Sequence, residues 1–405
     1  MDAEPLLAIV GQVPRAFREY ALAGARHAAR VWLVTPSAQA WHGGYCERVE
    51  EVDLDGAHAL REVSALLAGQ VDGVLTFDER YVELTAALVE RLGLPGATVE
   101  AVRVLKDKAA LREATAGRPY AVRFGIARTV AEAHRVVASI GYPVVLKPRA
   151  LGGSIGVVKV DGPSGLDAAF RLADGARVGD LASAHAGVLV EEFVDGPEIS
   201  IDASVSGGRT HVHFVADKLL GPEPYFEEVG HVVPSAVGDL QEVLDTVEDV
   251  HRLSGFDDGV SHVELRLTDR GPRLIEANAR LGGDLIPYLG LRATGVDLAR
   301  VAAQIAVGRP VPVEAARDDA AAVRFVYADR PLVLAGVTWP EAAHPGVEVE
   351  RAGLLAPGSW TAPPPDAFLS RVAYVLAHGS DRDLVVGAVE REAGAVRVDG
   401  EQARV

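Results

Sequence analysis

The stretch VSHVELRLTDRGPRLIEANARLGG, residues 260–283, decides how this chain is read. Two runs of alternating apolar residues flank the turn-forming stretch Thr268-Asp269-Arg270-Gly271-Pro272, which predicts a β-hairpin with a longer loop. Successive side chains of a strand point to opposite faces. His262, Glu264 and Arg266 therefore share one face of the first strand, and Val263, Leu265 and Leu267 the other. In the second strand Glu276, Asn278 and Arg280 lie together, opposed by Ile275, Ala277 and Ala279. Pairing Leu267 with Arg273 across the loop sets Glu264 directly opposite Glu276. Like charges facing each other destabilise a strand pair unless positive charge lies between them. Two carboxylates and an amide oxygen, with no thiolate, suit a hard cation such as Mg2+. Its remaining ligands are usually waters and phosphate oxygens. The bland alternative is a solvated hairpin face, and the upstream sequence weighs on that choice.

VVLKPRALGGSIGVVKV (144–160) reads as two strand segments, ending at Lys147 and restarting near Gly156, around a loop bearing Gly152, Gly153, Ser154 and Gly156. Glycines let backbone N–H groups turn toward a ligand unobstructed. This is no Walker A loop, since Gly-Lys-[Ser/Thr] is missing and a strand rather than a helix follows. A plain hairpin turn accounts for most such clusters, and Lys147 on an otherwise apolar strand makes this loop more suggestive of a ligand. In VLVEEFVDGPEISID (188–202) a buried strand leads into Glu191, Glu192, Phe193 and Val194, and Glu198 follows a Gly-Pro turn. Such a segment can offer a purine an apolar slot and a ribose a carboxylate, or be an acidic interstrand loop. DKLLGPEPYFEEVGHVVPS (217–235) reads as an irregular loop of the kind that lines sites, in which His231 is either a surface histidine or a catalytic one.

The length of 405 residues suggests two or three domains, and 49% hydrophobic with 24% charged residues is ordinary for a soluble globular protein. A net charge of −17 argues against nucleic acid and anionic membranes as partners. Cys46 is the only cysteine, which rules out an internal disulfide and a cysteine-based metal site and fits a reducing compartment. The N-terminus lacks the basic segment of a secretory signal, and no run of about twenty apolar residues could span a bilayer. A cytoplasmic location is expected. Residues 6–10, 31–34 and 71–77 are strand candidates alternating with helices, one at about 79–92 closed by Gly93, which predicts a parallel sheet with helices on both faces. No dinucleotide fingerprint follows the first strand. Thr98 is a candidate N-cap for a helix from Val99, and a second helical stretch carries Lys106-Asp107-Lys108 to about Ala116. Further helices are expected at 129–140, 239–254 and about 297–307, with short strands and turns beyond Pro310-Val311-Pro312.

Lys108, Lys147 with its glycine loop, the Glu191–Glu198 segment and the Glu264…Glu276-Ala277-Asn278 hairpin occur in the order that defines the ATP-grasp superfamily, which residues 1–310 resemble. Within it, DKLLGPEPYFEEVGHVVPS and ARLGGDLIPYLGLRATGVDL resemble the L-amino acid ligases, which join unprotected amino acids into dipeptides and whose relatives include enzymes tailoring secondary metabolites. The resemblance implies an α/β and α+β architecture. Its parts are a Rossmann-like pre-ATP-grasp domain (1–97), an ATP-grasp domain (98–310) with a mobile lid at about 118–188, and a small C-terminal α+β subdomain (311–405). By the same resemblance Lys108 and Lys147 contact ATP phosphates, while Gly152, Gly153 and Ser154 close over them. Glu191, Glu192, Phe193 and Val194 hold adenine, and Glu198 holds the ribose. Glu264, Glu276 and Asn278 coordinate two Mg2+ ions, for which Mn2+ can substitute, with Glu276 bridging. Arg280 stabilises the transferred phosphoryl group or binds a substrate carboxylate, with His231 as a second catalytic candidate. Expected partners are a small-molecule carboxylate and an amine, amino acids foremost, and a homodimer is admitted. Asp284 departs from the pattern, standing where some dipeptide ligases carry bulky residues that shape the acceptor pocket.

The reaction implied is ADP-forming carboxylate–amine ligation through an acyl phosphate. A bicarbonate-using carboxylase on the same core is the second enzyme reading, against which the stretch around Phe226 and His231 argues. A non-catalytic nucleotide-binding module is a third reading, and the lysines and metal-ligand candidates weigh against it. A carboxylate-pair hydrolase built on Glu264 and Glu276 leaves the lysines and glycine loop without a role.

Overall fold

The short apolar runs at the N-terminus form a four-stranded parallel sheet in the computed structural model, which describes residues 4–178, 181–182, 187–221, 223–237, 240–342 and 344–403. Its order is Arg48–Glu51, Arg30–Thr35, Leu6–Val10, Gly73–Leu75. Leu7, Ile9 and Leu33 belong to one apolar cluster, and Ala8, Val10, Trp32 and Val34 to another. Both faces are thus covered, which is why the strands read as continuous apolar runs. The helix read at 79–92 is a 3-10 turn, Glu79–Tyr81, followed by Val82–Leu92, and it ends on Gly93 at φ 67°. Thr98 caps Val99–Lys106 by accepting from the Ala101 N–H at 3.2 Å. The helical stretch expected to carry Lys106-Asp107-Lys108 is interrupted: Asp107, at φ −84° and ψ 106°, closes one helix and caps the next, Lys108–Ala114. Aspartate competes with the helix backbone at such positions and favours caps. The break puts Lys108 at the start of a helix, pointing into the interior.

A second, antiparallel sheet orders its strands Phe124–Ala127, Val188–Glu192, Val144–Pro148, Val158–Val160. Helices Val130–Ile140 and Leu166–Gly175 pack on it through Ala133, Val137, Leu166 and Phe170. The expected lid interval 118–188 includes residues 179–180 and 183–186, which lie outside the described residues. The third sheet has eight strands in the order Gly271–Asn278, Gly259–Thr268, Glu198–Ser206, Arg209–Leu220, Glu228–Val233, Ala320–Tyr327, Arg371–Gly379, Glu348–Gly353. The stretch read as an irregular loop at 217–235 is therefore mostly sheet: Asp217 pairs with Val232 and Lys218 with His231. Its Pro and Gly residues lie in the connection between the two strands, at Gly230 inside the second strand and at Pro234 just after it. Three strands from beyond residue 311 extend this sheet. The rest of that region forms a smaller sheet, Trp360–Thr361, Leu332–Thr338 and Arg397–Gln402, and a helix, Arg382–Ala395. Among the described residues no helix is long and apolar enough to cross a membrane.

The hairpin that opened the reading is present, but its turn is tighter than expected. Thr268 pairs with Gly271 and Leu267 with Pro272, one residue out of the anticipated register. A bulge at Ile275 then restores it, so that Glu264 faces Glu276 and His262 faces Asn278. A β-bulge re-aims side chains and leaves its extra residue outside the ladder. Here the Ile275 carbonyl accepts from Arg112 Nη2 at 2.7 Å.

Helix Ile286–Thr294 crosses the central sheet through Gly290, where a Cβ would lie 2.1 Å from Phe214 Cε1. Alanine in a helix normally gains about 1 kcal/mol over glycine, whereas overpacking a filled core costs about 1–3 kcal/mol. Gly290→Ala should therefore lower stability by about 1–3 kcal/mol, seen as a lower urea midpoint at unchanged slope. A raised midpoint would show that the contact yields.

Candidate active site

One cleft, with about 1080 Å³ of open space, collects residues from the second and third sheets and from the helix start at Lys108. It is lined by Lys108, Lys147, Gly152, Gly153 and Ser154, by Glu191, Glu192, Phe193, Val194 and Glu198, and by Glu264, Glu276, Asn278 and Arg280. Fourteen of the fifteen residues singled out in the sequence thus share it. His231 does not line it: it lies fully buried on a sheet strand, 0% exposed, rather than at a surface loop.

The facing carboxylates are compensated by lysines. Lys218 Nζ, whose side chain is 1% exposed, stands 2.6 Å from Glu264, 3.2 Å from Glu198 and 3.2 Å from Glu228. Lys108 Nζ lies 3.1 Å from Glu276 and donates to the Leu151 carbonyl at 2.8 Å, tying the helix start to the glycine loop. Burial alone would raise the Glu264 carboxyl, but the Lys218 ammonium and His262 hold it down to about 2. His262 is itself bracketed by Asp202, 2.9 Å away, and Glu264, 3.3 Å away. Burial disfavours its charged form, yet these carboxylates lift it to about 9. Asn278 fits with its amide nitrogen toward Glu276 Oε1 (3.2 Å) and Glu79 Oε2 (3.3 Å), which leaves its oxygen available to a cation. Two ionised carboxylates held among ammonium groups, an amide oxygen and no sulfur form a donor set that fits Mg2+.

At the other end, the Glu191 carboxylate is not free to hold a base. It pairs with Lys147 Nζ at 2.5 Å and Arg112 Nε at 2.6 Å, all three side chains being buried. The pairing fixes where the Lys147 ammonium stands. Glu192 accepts from the Arg123 backbone and side chain, and Glu198 from Arg266 at 2.9 Å. Phe193 and Phe226 stack with ring centroids 6.2 Å apart, and the Arg266 guanidinium lies 5.4 and 5.1 Å from them. With Val122, Val145 and Ile275 they make a flat apolar slot.

Beyond the carboxylate pair, Asp284 lines the cleft at φ 50°. Its Oδ2 lies 3.1 Å from His231 Nε2, and its Oδ1 pairs with Arg371, whose Nε donates to Tyr327 at 2.9 Å. Glu228 sits 3.5 Å from His231, so Glu228, His231 and Asp284 form a compact cluster already supplied with positive charge by Lys218 and Arg371. Arg18 of the first helix donates to the Gly282 and Asp284 carbonyls at 3.0 Å, fixing the bend that carries Asp284. Arg280 pairs with Glu79 at 2.5 Å. The sequence reading missed Lys218, Glu228, Arg112 and Arg371. Lys218 follows Asp217, so it lacked the apolar setting that picked out Lys147.

Residues 140–288 match the ATP-grasp domain family. An uncharacterized protein, y4rH, of Sinorhizobium fredii is 30% identical over 362 residues, covering 85% of this chain and 72% of that protein. Carnosine synthase 1 of Homo sapiens is 32% identical over 276 residues, covering 63% of this chain but only 33% of the synthase, so the chain spans about a third of that relative. In fold, the chain is similar to the crystal structure of an L-amino acid ligase from Bacillus licheniformis. The TM-score is 0.82 at 21% identity, over 99% of this chain and 100% of that one.

The Glu191 pairs set a pH-dependent test. Burial opposes ionisation of Glu191, but Arg112 and Lys147 hold its carboxyl below the ordinary 4.5. A depressed carboxylate contributes stability that is present above its unfolded pKa and lost as pH falls through the folded one. Glu191→Gln should cost about 3–5 kcal/mol at pH 7, since it strands two buried cations, with the gap to the parent narrowing below pH 4.5. Urea titrations at pH 7 and pH 4 measure this, and a gap equal at both would remove the ion pairs as its cause.

Proposed function

The chain belongs to the ATP-grasp superfamily, and from that premise we propose that it is an ADP-forming carboxylate–amine ligase acting on amino acids or related small molecules. The observation that carries the reading is the Glu264–Glu276 pair facing across a bulged hairpin, in the same cleft as the glycine loop and two buried lysines. A glycosidase-type carboxylate pair would need neither. In this reading Lys108, Lys147 and the backbone of 152–154 bind the phosphates. The Phe193–Phe226 slot takes adenine, and Glu198 faces the ribose. Glu264, Glu276 and Asn278 would hold two Mg2+ ions, which would supply charge neutralisation on the phosphate oxygens. Phosphoryl transfer needs alignment and charge more than covalent help from the protein. A substrate carboxylate oxygen attacks the γ-phosphorus and ADP leaves, giving an acyl phosphate. An amine then attacks the acyl carbon, phosphate leaves, and the amine gives up a proton. Arg280 lies beside Glu276 and suits the charge that develops in both steps. The end lined by Glu228 and Asp284, with His231 behind them, is where the substrates lie. The similarity to carnosine synthase and to an L-amino acid ligase supports this class over the bicarbonate reading.

Incubation with ATP, Mg2+ and pooled amino acids should release ADP and phosphate only when amino acids are present, whereas dependence on bicarbonate would move the assignment to a carboxylase. Glu276→Gln should lower that turnover by about 10³-fold with the fold retained by circular dichroism. Unchanged turnover at saturating Mg2+ would take Glu276 out of the metal site.

Arg280→Lys separates two roles. If the guanidinium serves phosphoryl transfer, kcat should fall by about 10²-fold for every substrate while amino acid KM values stay near the parent's. A rise in KM for one substrate, absent for its amide, would assign Arg280 to that substrate's carboxylate instead.

A further inference from the structure

Among the described residues, Leu369 is the only one from 311–405 that lines the cleft. It is an unusual residue for its place. Its φ is 55°, a conformation costly for a leucine, and the side chain is 39% exposed, so packing does not account for the strain. The backbone is nevertheless held firmly. The Leu369 N–H donates to Glu227 Oε1 at 2.7 Å, and that carboxylate is buried. Next along the chain, the Ser370 carbonyl accepts from Thr361 Oγ1 at 3.1 Å, and Arg371 is bonded to Asp284 and Tyr327. The side chain meets the glycine loop: a Cβ on Gly153 would lie 2.7 Å from Leu369 Cδ1. The connection that carries Glu223, Pro224 and Tyr225 touches both parts. The Lys159 N–H, on the strand that leaves the glycine loop, donates to the Pro224 carbonyl at 2.9 Å, and Lys159 Nζ pairs with Glu223 at 2.6 Å. Tyr225 packs against the second sheet's apolar cluster and edge-on to Phe368, ring centroids 6.0 Å apart.

We propose that Leu369 is a positioning residue, a latch on which the glycine loop seats so that the activated carboxylate meets the amine and not water. This rests on the ligase reading above. An acyl phosphate has two fates. Attack by the amine at the acyl carbon forms the amide and expels phosphate. Attack by water returns the carboxylate and the same phosphate. Each consumes one ATP, so the ratio of amide to phosphate reports which nucleophile arrived, and excluding water is what a closed lid contributes. The strained backbone presents the leucine to Gly153, and its neighbour Arg371 grips Asp284. One short run of chain therefore touches both the phosphate end and the substrate end of the cleft.

The test uses the full chain with ATP, Mg2+ and an amino acid pair that supports turnover, measuring amide and phosphate together. Leu369→Gly and Leu369→Asn tolerate the positive φ and so spare the fold. Leu369→Met keeps an apolar side chain. The glycine and asparagine variants should lower the amide-to-phosphate ratio by about 5-fold or more, with phosphate release on the carboxylate substrate alone rising, while Leu369→Met stays near the parent. An unchanged ratio in both polar and glycine variants overturns the latch and leaves the ligase reading intact. If the parent itself makes no amide, the ligase reading fails, and the latch is then judged by release of a fluorescent ATP analogue. Release about 5-fold faster from the two variants supports it, and equal release overturns it.

Discussion

A single ammonium group holds the middle of this protein together. Lys218 lies on an interior strand of the eight-stranded sheet and is shared by Glu198, Glu228 and Glu264. Isolated buried charges are expensive, and they persist only where paired and hydrogen-bonded. With Lys108 beside Glu276 and Lys147 beside Glu191, every buried carboxylate on the cleft wall has a cation supplied by a different segment of chain. These pairs add little to net stability by themselves, because desolvation offsets most of the attraction. What they do is fix where each carboxylate points, which an apolar core could not.

The strain in the backbone is concentrated in the same place. Ser154, Asp284 and Leu369 are the non-glycine residues with positive φ among the described residues, and all three line the cleft. One comes from the glycine loop, one from the bend after the Glu264–Glu276 hairpin and one from the C-terminal region. Two of them are held by neighbours, Leu369 by Glu227 and Asp284 by Arg18, His231 and Arg371. Strain distributed this way is what a preorganised site requires, and it ties the N-terminal sheet and the C-terminal strands to the chemistry of the centre.

How much of this could be read from sequence follows from what periodicity encodes. Alternation fixes which side chains share a face, so the His262, Glu264, Glu276 and Asn278 face and the parallel N-terminal sheet were legible. Cap chemistry made Gly93 and Thr98 legible as well. Alternation does not say which distant strands become neighbours. That is why Lys218, Arg371 and Glu228 stayed hidden, and why 217–235 read as a loop. The density of Pro and Gly in and around the connection masked the strand that carries His231. The ion pairs of the Glu191 carboxylate were not legible, since only the folded chain brings Arg112 and Lys147 to it. The hairpin register came out correct at the carboxylates although the turn was misjudged, because the bulge at Ile275 absorbs the one-residue difference.

That bulge also governs which changes of chain length the hairpin can survive. Its extra residue stands outside the ladder with its carbonyl taken by Arg112. Removing Ile275 would join Leu274, opposite Leu265, directly to Glu276, opposite Glu264, and keep the carboxylate face, whereas removing one residue between Glu276 and Asn278 would send Asn278 and Arg280 to the far side of the sheet together. Lengthening the Asp269-Arg270 turn shifts nothing, since both strands are anchored from the bulge inward. Insertions and deletions should accordingly be tolerated at the tip of this hairpin and excluded from its second strand beyond the bulge, so the turn is the natural place to graft a tag or a reporter peptide.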